Sequence, residues 1–420
     1  MSTTDRVRPD SCPGVLRLHE AADGALARVR ITGGRISAGA LRTLADLTER
    51  YADGALELTS RGNVQVRAVT PGAEGEIAAG LARVGLLPSA RHERVRNIVA
   101  SPLAGWDRHG RGDVDDLVRA LDERLLRGTD ITELSGRFLF GLDDGRGDVS
   151  PSVDVGWIAS SPSDGVLVVG GRPTRIAVPR ARAVDVLLSA ARVFLEVGQG
   201  WRVDSAPDTA RRIVDGVRAA WPALPHTEPA WSTAVELPIS EPPQVGVYPR
   251  PDSDRVPATL VAGIPLGRLT ARQARELAAS TANEELRITP WRSIALRPAD
   301  PDATADTLRV AGLFTSPDSA WNGVTACAGQ PHCAKANADV RALAAQVVQA
   351  APPAPGPRRP FHWAGCARRC GRPNYPHLDV LSLPDGGVLV DDTAVPGAQP
   401  AEHVAELRVT SPFPNPIDGT

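Results

Sequence analysis

The chain has 420 residues, 42% of them hydrophobic and 23% charged, with a formal net charge of −2. That length exceeds one compact core and predicts two or three domains, and the composition excludes disorder, collagen and coiled coil. The near-neutral balance gives no bulk attraction to nucleic acid or anionic membrane, so any anion site must be local.

The N-terminus, MSTTDRVRPDSCPG, has no apolar stretch of the signal-peptide kind. No apolar run approaches the ~20 residues of a bilayer span. The expectation is a cytoplasmic protein with neither nucleic acid nor membrane as partner. Lys335 is the single lysine, so basic sites must be built from arginine. Cys12, in DSCPG, reads as an incidental thiol near a terminus.

Taken in chain order, the predicted elements occur twice. A helix with apolar spacing around Leu41–Leu47 precedes the alternating segment LELTSRGNVQVR at 56–67. VRNIVASPLAG at 95–105 follows, then a helix start in GDVDDLVRAL and a hairpin-like VDVGWIASSPSDGVLVVGG. Asp143-Asp144, between them, reads as a turn or cap rather than an acid–base pair. Beyond a Pro-rich joint at Pro222–Pro243 the order returns. A helix at Ala271–Ala279 opens on the capping box Thr270-Ala271-Arg272-Gln273, and LRITPWRSIALR at 286–297 follows. Next come Asn322–Cys327, NADVRALAAQ, the stiff connection APPAPGPRRP at 351–360, and HLDVLSLPDGGVLVDD. Four matches at offsets near 225–230 predict a duplication. Short strands mixed with amphipathic helices predict α+β or α/β, and a pseudo-twofold pair of units places a cleft on its axis.

Five residues separate Cys327 from Cys333, and three separate Cys366 from Cys370. Four grouped thiols in a cytoplasmic chain point to a metal site. The wide, irregular spacing suits a [4Fe–4S] cube, with Gly329 and Gly365 letting the backbone bend closely around it. Structural zinc and unrelated buried thiols are the alternatives. His332 and His362 flank the cysteine pairs, and each reads more readily as a neutral hydrogen-bonding ring than as a ligand of a mononuclear iron.

CAGQPHC followed by GCARRC resembles the cluster-binding pattern of the sirohaem-dependent nitrite/sulfite reductase family. The resemblance extends from about residue 12 to 412 and implies an α+β, internally duplicated fold. In it, two ferredoxin-like halves (12–80 and 244–305) form one composite domain. Two α/β domains (90–222 and 312–415) are related by a pseudo-twofold, and 223–243 is a linker. It further implies that Cys327, Cys333, Cys366 and Cys370 hold a [4Fe–4S] cluster, with Cys370 the bridge to a tetrapyrrole or a second iron. Arg61 and Gln65 match a Thr-x-Arg-x-x-x-Gln-like strand that lines the tetrapyrrole site. Arg96 and Asn97 match an Arg-Asn-(Ile/Val) motif, and Arg137 stands at the first of two lysine positions. Arg292, Arg297, Arg358, Arg359, Arg368 and Arg369 are weaker candidates from the second copy.

The second lysine position is Leu139, so both lysines are absent. Arginine is a poor proton donor and leucine has no proton to give, whereas lysine can release one when its pKa is depressed. Lys335 does not fill the vacancy by alignment. The departure therefore favours the branch in which the macrocycle is substrate, precorrin-3B synthase of aerobic cobalamin biosynthesis. That branch implies O2-dependent hydroxylation of precorrin-3A at C-20 with γ-lactone formation. Electrons would come from NAD(P)H through a donor protein, a ferredoxin or a reductase, because the chain has no Gly-x-Gly-x-x-Gly after a predicted strand. A mononuclear iron or sirohaem beside the cluster stays open. The other readings are a sirohaem enzyme reducing another small substrate and a non-catalytic protein clamped by zinc.

Overall fold

The computed structural model describes residues 12–197, 200–228, 230, 243–249, 258–351, 358–373, 375–395 and 399–410. Most of the Pro-rich joint (residues 229 and 231–242) and residues 352–357 of the second connection lie outside the described residues.

The first copy begins with β1 (His19–Ala21), β2 (Gly24–Val29), β3 (Arg35–Ser37), α1 (Ala38–Tyr51), β4 (Ala55–Leu58), β5 (Val64–Val69) and α2 (Glu74–Arg83). It continues with β6 (Ile98–Ala100), α3 (Asp115–Arg127), β7 (Phe140–Asp143), β8 (Val155–Ala159), β9 (Asp164–Val169), β10 (Arg172–Pro179), α4 (Ala183–Val197) and α5 (Thr209–Ala220). The second copy opens with β11 (Gly246–Tyr248), β12 (Thr259–Gly263), β13 (Arg268–Thr270), α6 (Ala271–Ser280), β14 (Glu285–Ile288), β15 (Ser293–Leu296) and α7 (Pro301–Val310). It closes with β16 (Val324–Ala326), α8 (Val340–Ala350), β17 (Phe361–Ala364), β18 (Leu378–Ser382), β19 (Val388–Val390), β20 (Thr393–Ala394) and α9 (Pro400–Thr410).

The duplication is visible in the sheet orders. One sheet runs β1-β2-β5-β4-β13 and its counterpart runs β11-β12-β15-β14-β3. Each copy thus lends its third strand to the other: Leu269 pairs with Leu56, and Ile36 pairs with Leu286. Exchange of edge strands makes the two halves one folding unit, because neither sheet is complete without the other copy. A single apolar core follows, with Leu41, Leu44, Leu56 and Ile77 from the first copy packed among Leu277, Leu286, Ile294 and Leu308 from the second. The helices that cover it, α1 and α6, pack on each other. Their starts are fixed by side-chain caps. Ser37 Oγ accepts from Ala40 N at 3.1 Å, and Thr270 with Gln273 forms the reciprocal box that the sequence predicts.

The other two sheets also share one order, β6-β7-β8-β9-β10 against β16-β17-β18-β19-β20. In each, the first three strands are parallel and the remaining pairings antiparallel. Phe138, Phe140, Trp157 and Phe194 centre the first of these cores, and Phe361, Trp363 and Val404 centre the second. Arg287 on β14 joins the composite unit to the first α/β sheet. It donates to the carbonyls of Pro102 (3.0 Å) and Ala104 (2.8 Å), pairs with Asp115 at 2.6 Å, and lies 4.0 Å over the Trp106 ring.

Candidate functional site

Parallel pairing of β16 with β17 brings together cysteines that are distant in sequence. Ala326 stands opposite Trp363, so Cys327 and the Gly365–Cys366 turn leave the sheet side by side. Crevices at the carboxyl ends of parallel strands are a usual place for ligands in such sheets. Cys327 N donates to Trp363 O at 3.0 Å, and Gly365 N donates to Cys327 Sγ at 3.2 Å. The loop carrying Cys333 closes over this crevice: Asn337 N reaches Gly365 O at 2.8 Å and Gln330 N reaches Ala338 O at 2.9 Å. A Cβ on Gly365 would stand 2.8 Å from Ala336 Cβ, so only glycine permits that closure.

The four thiols share one electrostatic environment. Burial pushes the Cys370 thiol up, and negative charge on Cys327, Cys366 and Cys333 pushes it further. Among the described residues, the group of three or more potential ligand atoms all within 4.8 Å of one another is Asp143, Asp144 and Asp148, not the cysteines. A single zinc with bonds of ~2.3 Å needs its sulfurs closer than that. Four thiolates are a donor set that a [4Fe–4S] cluster takes.

The cysteine-bearing sheet docks on the first composite sheet through charge. Arg67 on β5 holds Asp23 through two hydrogen bonds of 2.9 and 2.8 Å, and donates to the carbonyl of His332 at 2.9 Å. His332 Nδ1 lies 3.0 Å from Asp23 Oδ2, so this ring is tied to the interface. Arg341 on α8 pairs with Glu57 on β4 across the same junction. His362 is fully buried, with Nδ1 3.0 Å from Thr325 Oγ1. Burial, then Arg292 and His377, push its pKa down to about 3, which keeps the ring neutral.

Strand alternation places Gln65 and Arg67 on one side of β5, with Arg28 opposite Gln65 on β2. That side carries a basic group. Arg61 projects from the turn Thr59–Asn63, where Thr59 Oγ1 accepts from Asn63 N at 3.1 Å and Gly62 takes a φ of 66°. Arg61 Nη1 donates to Arg137 O at 3.0 Å. Burial, followed by Arg202, pulls the Arg61 pKa down to about 10. Asn63 donates to Asn97 and Asn97 donates to Phe138 O, both at 3.0 Å, which pins the 135–139 segment beside the turn. With its amide oriented to satisfy both groups, Gln65 accepts from Arg28.

The structure brings Arg61, Gln65, Asn97 and the Arg137 backbone together, with Asn97 in a bracing role. Arg96 is committed elsewhere, to a two-pronged pair with Asp122 at 2.7 and 2.8 Å. Leu139 is buried among Val99, Val149 and Ile158, and its amide donates to Asp154 at 2.9 Å. Lys335 is exposed on the cysteine loop.

Among the second-copy arginines, Arg292 donates to Gly371 O beside Cys370 at 3.1 Å and Arg297 lies 4.4 Å over Trp106. Arg358 donates to Asp318 O (2.8 Å), Arg359 pairs with Asp391 (3.4 Å), and Arg369 pairs with Asp379 (2.7 Å). Arg368 is exposed.

Three residues that the sequence did not place at the basic group, Arg28, Arg30 and Cys12, join it. Arg28 Nη1 and Arg30 Nη2 lie 3.3 and 3.4 Å from Cys12 Sγ. Cys12 is only 5% exposed and adjoins Gly136, one residue from Arg137. The Arg-x-Arg alternation at the end of β2 and just past it was a usable signal, but the distance of Cys12 from every motif hid its place.

Comparison with known proteins follows the same lines. The nitrite/sulfite reductase ferredoxin-like half domain matches residues 19–84. A ferredoxin–nitrite reductase of Synechococcus elongatus is 30% identical over 85% of this chain and 76% of its own. A precorrin-3B synthase of Sinorhizobium is 26% identical over 94% of this chain and 85% of its own. The solved structure of the Mycobacterium tuberculosis NirA protein superposes with a TM-score of 0.71 at 20% identity, covering 89% of this chain and 77% of that one.

Proposed function

The chain belongs to the nitrite/sulfite reductase family of oxidoreductases, and within it we propose a precorrin-3B synthase. The reaction is the O2-dependent hydroxylation of precorrin-3A at C-20 with γ-lactone formation. One atom of O2 enters the ring and the other leaves as water, with two electrons and two protons supplied.

The observation that carries this reading is the chemistry at the two positions where the resemblance expects lysines. Leu139 is buried in an apolar cluster, Arg137 is exposed, and the one lysine of the chain lies on the cysteine loop. Reduction of a small oxyanion needs a proton donor there, and neither residue supplies one. Similarity to a precorrin-3B synthase along 94% of the chain supports the same branch.

Cys327, Cys333, Cys366 and Cys370 would hold a [4Fe–4S] cluster, which supplies single-electron transfer when bound. The protein's own contribution is to bind and orient a polyacid. Arg28, Arg30 and Arg61 present guanidinium groups, whose planar donors match the acetate and propionate groups of a uro-type macrocycle. Gln65 holds Arg28, and the Asn63–Asn97 bridge holds the turn that aims Arg61. His362, neutral and buried, contributes shape and no charge beside Cys370.

Aerobic incubation of cluster-reconstituted protein with precorrin-3A and reductant tests the proposal. Mass spectrometry is expected to find one added oxygen atom, and an unchanged mass with the cluster intact contradicts it. The second reading, a sirohaem enzyme acting on another small substrate, is favoured by the similarity to ferredoxin–nitrite reductase. A tightly bound chlorin-type visible spectrum in the isolated protein would select it.

A further inference from the structure

The N-terminal segment is built into the basic group. Gly14 O accepts from Arg28 N at 3.1 Å, and Glu93 Oε2 accepts from Val15 N at 2.9 Å and Leu16 N at 3.3 Å. A Cβ on Gly14 would stand 2.3 Å from Glu93 Oε1, so the Glu93 carboxylate packs directly against this stretch of backbone. This anchoring delivers Cys12 Sγ to a point between two guanidinium groups, 3.3 Å from Arg28 Nη1 and 3.4 Å from Arg30 Nη2. Two neighbouring cations, one at the end of β2 and one just beyond it, repel each other, and an acceptor sulfur between them offsets that repulsion. Burial lowers the Arg30 pKa and Arg28 lowers it further, while Cys12 opposes both.

Arg30 is 4% exposed, and its donors are unequally used. Nη2 serves Cys12 and the carbonyl of Gly136, whereas Nε is buried with no hydrogen-bond partner among the described residues. A buried donor left without an acceptor is costly, and a ligand oxygen is the natural way to satisfy it.

We propose that Cys12 is a positioning residue of the basic group: its sulfur spaces Arg28 from Arg30 and leaves the unfilled Arg30 Nε for a carboxylate of the bound macrocycle. The inference rests on the polyacid-tetrapyrrole reading above and assigns a purpose to a thiol that reading does not use. Cys12 takes no part in the redox chemistry.

The test uses uroporphyrin I, an octacarboxylate tetrapyrrole, titrated into the full-length protein carrying its cluster, with fluorescence quenching giving Kd. Cys12→Ala is expected to raise Kd about ten-fold, the loss of one oriented charge-assisted contact. Cys12→Ser keeps an acceptor of smaller reach and is expected to raise it about three-fold. Iron content and the thermal midpoint are followed for both. Equal Kd values for wild type and Cys12→Ala overturn the proposal. So do equal losses in the two variants, because that pattern belongs to general disturbance of the segment. If Cys12→Ala does not fold, Cys12→Ser decides alone, with no rise in Kd the contradicting result. Wild-type protein that fails to bind uroporphyrin contradicts instead the polyacid reading on which the proposal stands.

Discussion

The loops that follow β7 and β17 occupy equivalent places in the two copies, yet they solve opposite problems. After β7, the Asp143 carboxylate accepts the amides of Gly145, Gly147, Val149 and Ser150 at 2.9 to 3.3 Å. Asp144 and Asp107 both grip Arg146 at 2.7 Å. These loop amides and the Arg146 guanidinium find their acceptors there. After β17, Cys366 and Cys370 stand beside Cys327 and Cys333 with few hydrogen bonds to their sulfurs, of which Gly365 N to Cys327 is one. The duplicated scaffold thus presents side chains at the same strand ends twice. One copy closes the position with a salt-linked carboxylate knot, and the other leaves four soft donors, those of the proposed metal centre. Duplication supplied the geometry, and divergence of a few side chains assigned the chemistry to one side.

The sharpest way to break this contrast is on the thiol side. Cys370→Ser is expected to abolish substrate oxygenation and to lower the iron and labile sulfide recovered, while Cys12→Ser retains its iron and sulfide; cluster analysis of the two variants side by side checks it. On the carboxylate side, Asp143→Ala leaves four amides without their acceptor. Denaturant unfolding is expected to register a loss of about 3–5 kcal/mol, with the iron content of surviving folded protein unchanged.

Smaller effects sharpen the comparison at the basic group. Arg61→Ala is expected to raise the Kd for uroporphyrin about ten-fold, and the exposed Arg137→Ala about two- to three-fold, with stability within about 0.5 kcal/mol in the second case. The smallest expected effect is a pH slope. Asp148 is raised well above the ordinary carboxylate range, by burial first and then by Asp143. Its folded form holds the proton more tightly than the unfolded chain does. Its contribution is therefore present at acid pH and lost as pH rises from the unfolded pKa through the folded one. Asp148→Asn, a permanent mimic of the protonated acid, is expected to remove that slope. The variant should match wild type near pH 4 and melt slightly higher near pH 8.

Much of this was readable from the residues, and the unreadable parts have physical causes. Alternation in 56–67 and 286–297 gave β4, β5, β14 and β15, and the capping box gave the start of α6. The exchange of β3 and β13 was hidden because three-residue edge strands carry almost no periodic signal. Their partners also lie across the duplication, as with Arg35 and Arg287. The cysteine grouping was legible from spacing, but its cause, parallel pairing of β16 with β17, was not. Arg96 matched its motif well, yet sequence could not foresee Asp122 one helix away capturing its guanidinium. The surroundings of Cys12 were hidden for the complementary reason: nothing local marks a thiol whose partners are brought to it by a docked segment.

The central claim, that four thiols at the ends of β16 and β17 hold an iron–sulfur cluster, is tested most directly by metal and acid-labile sulfide analysis of anaerobically purified protein. Iron and sulfide in equal amounts without zinc is the expected result. One equivalent of zinc with no labile sulfide would contradict it.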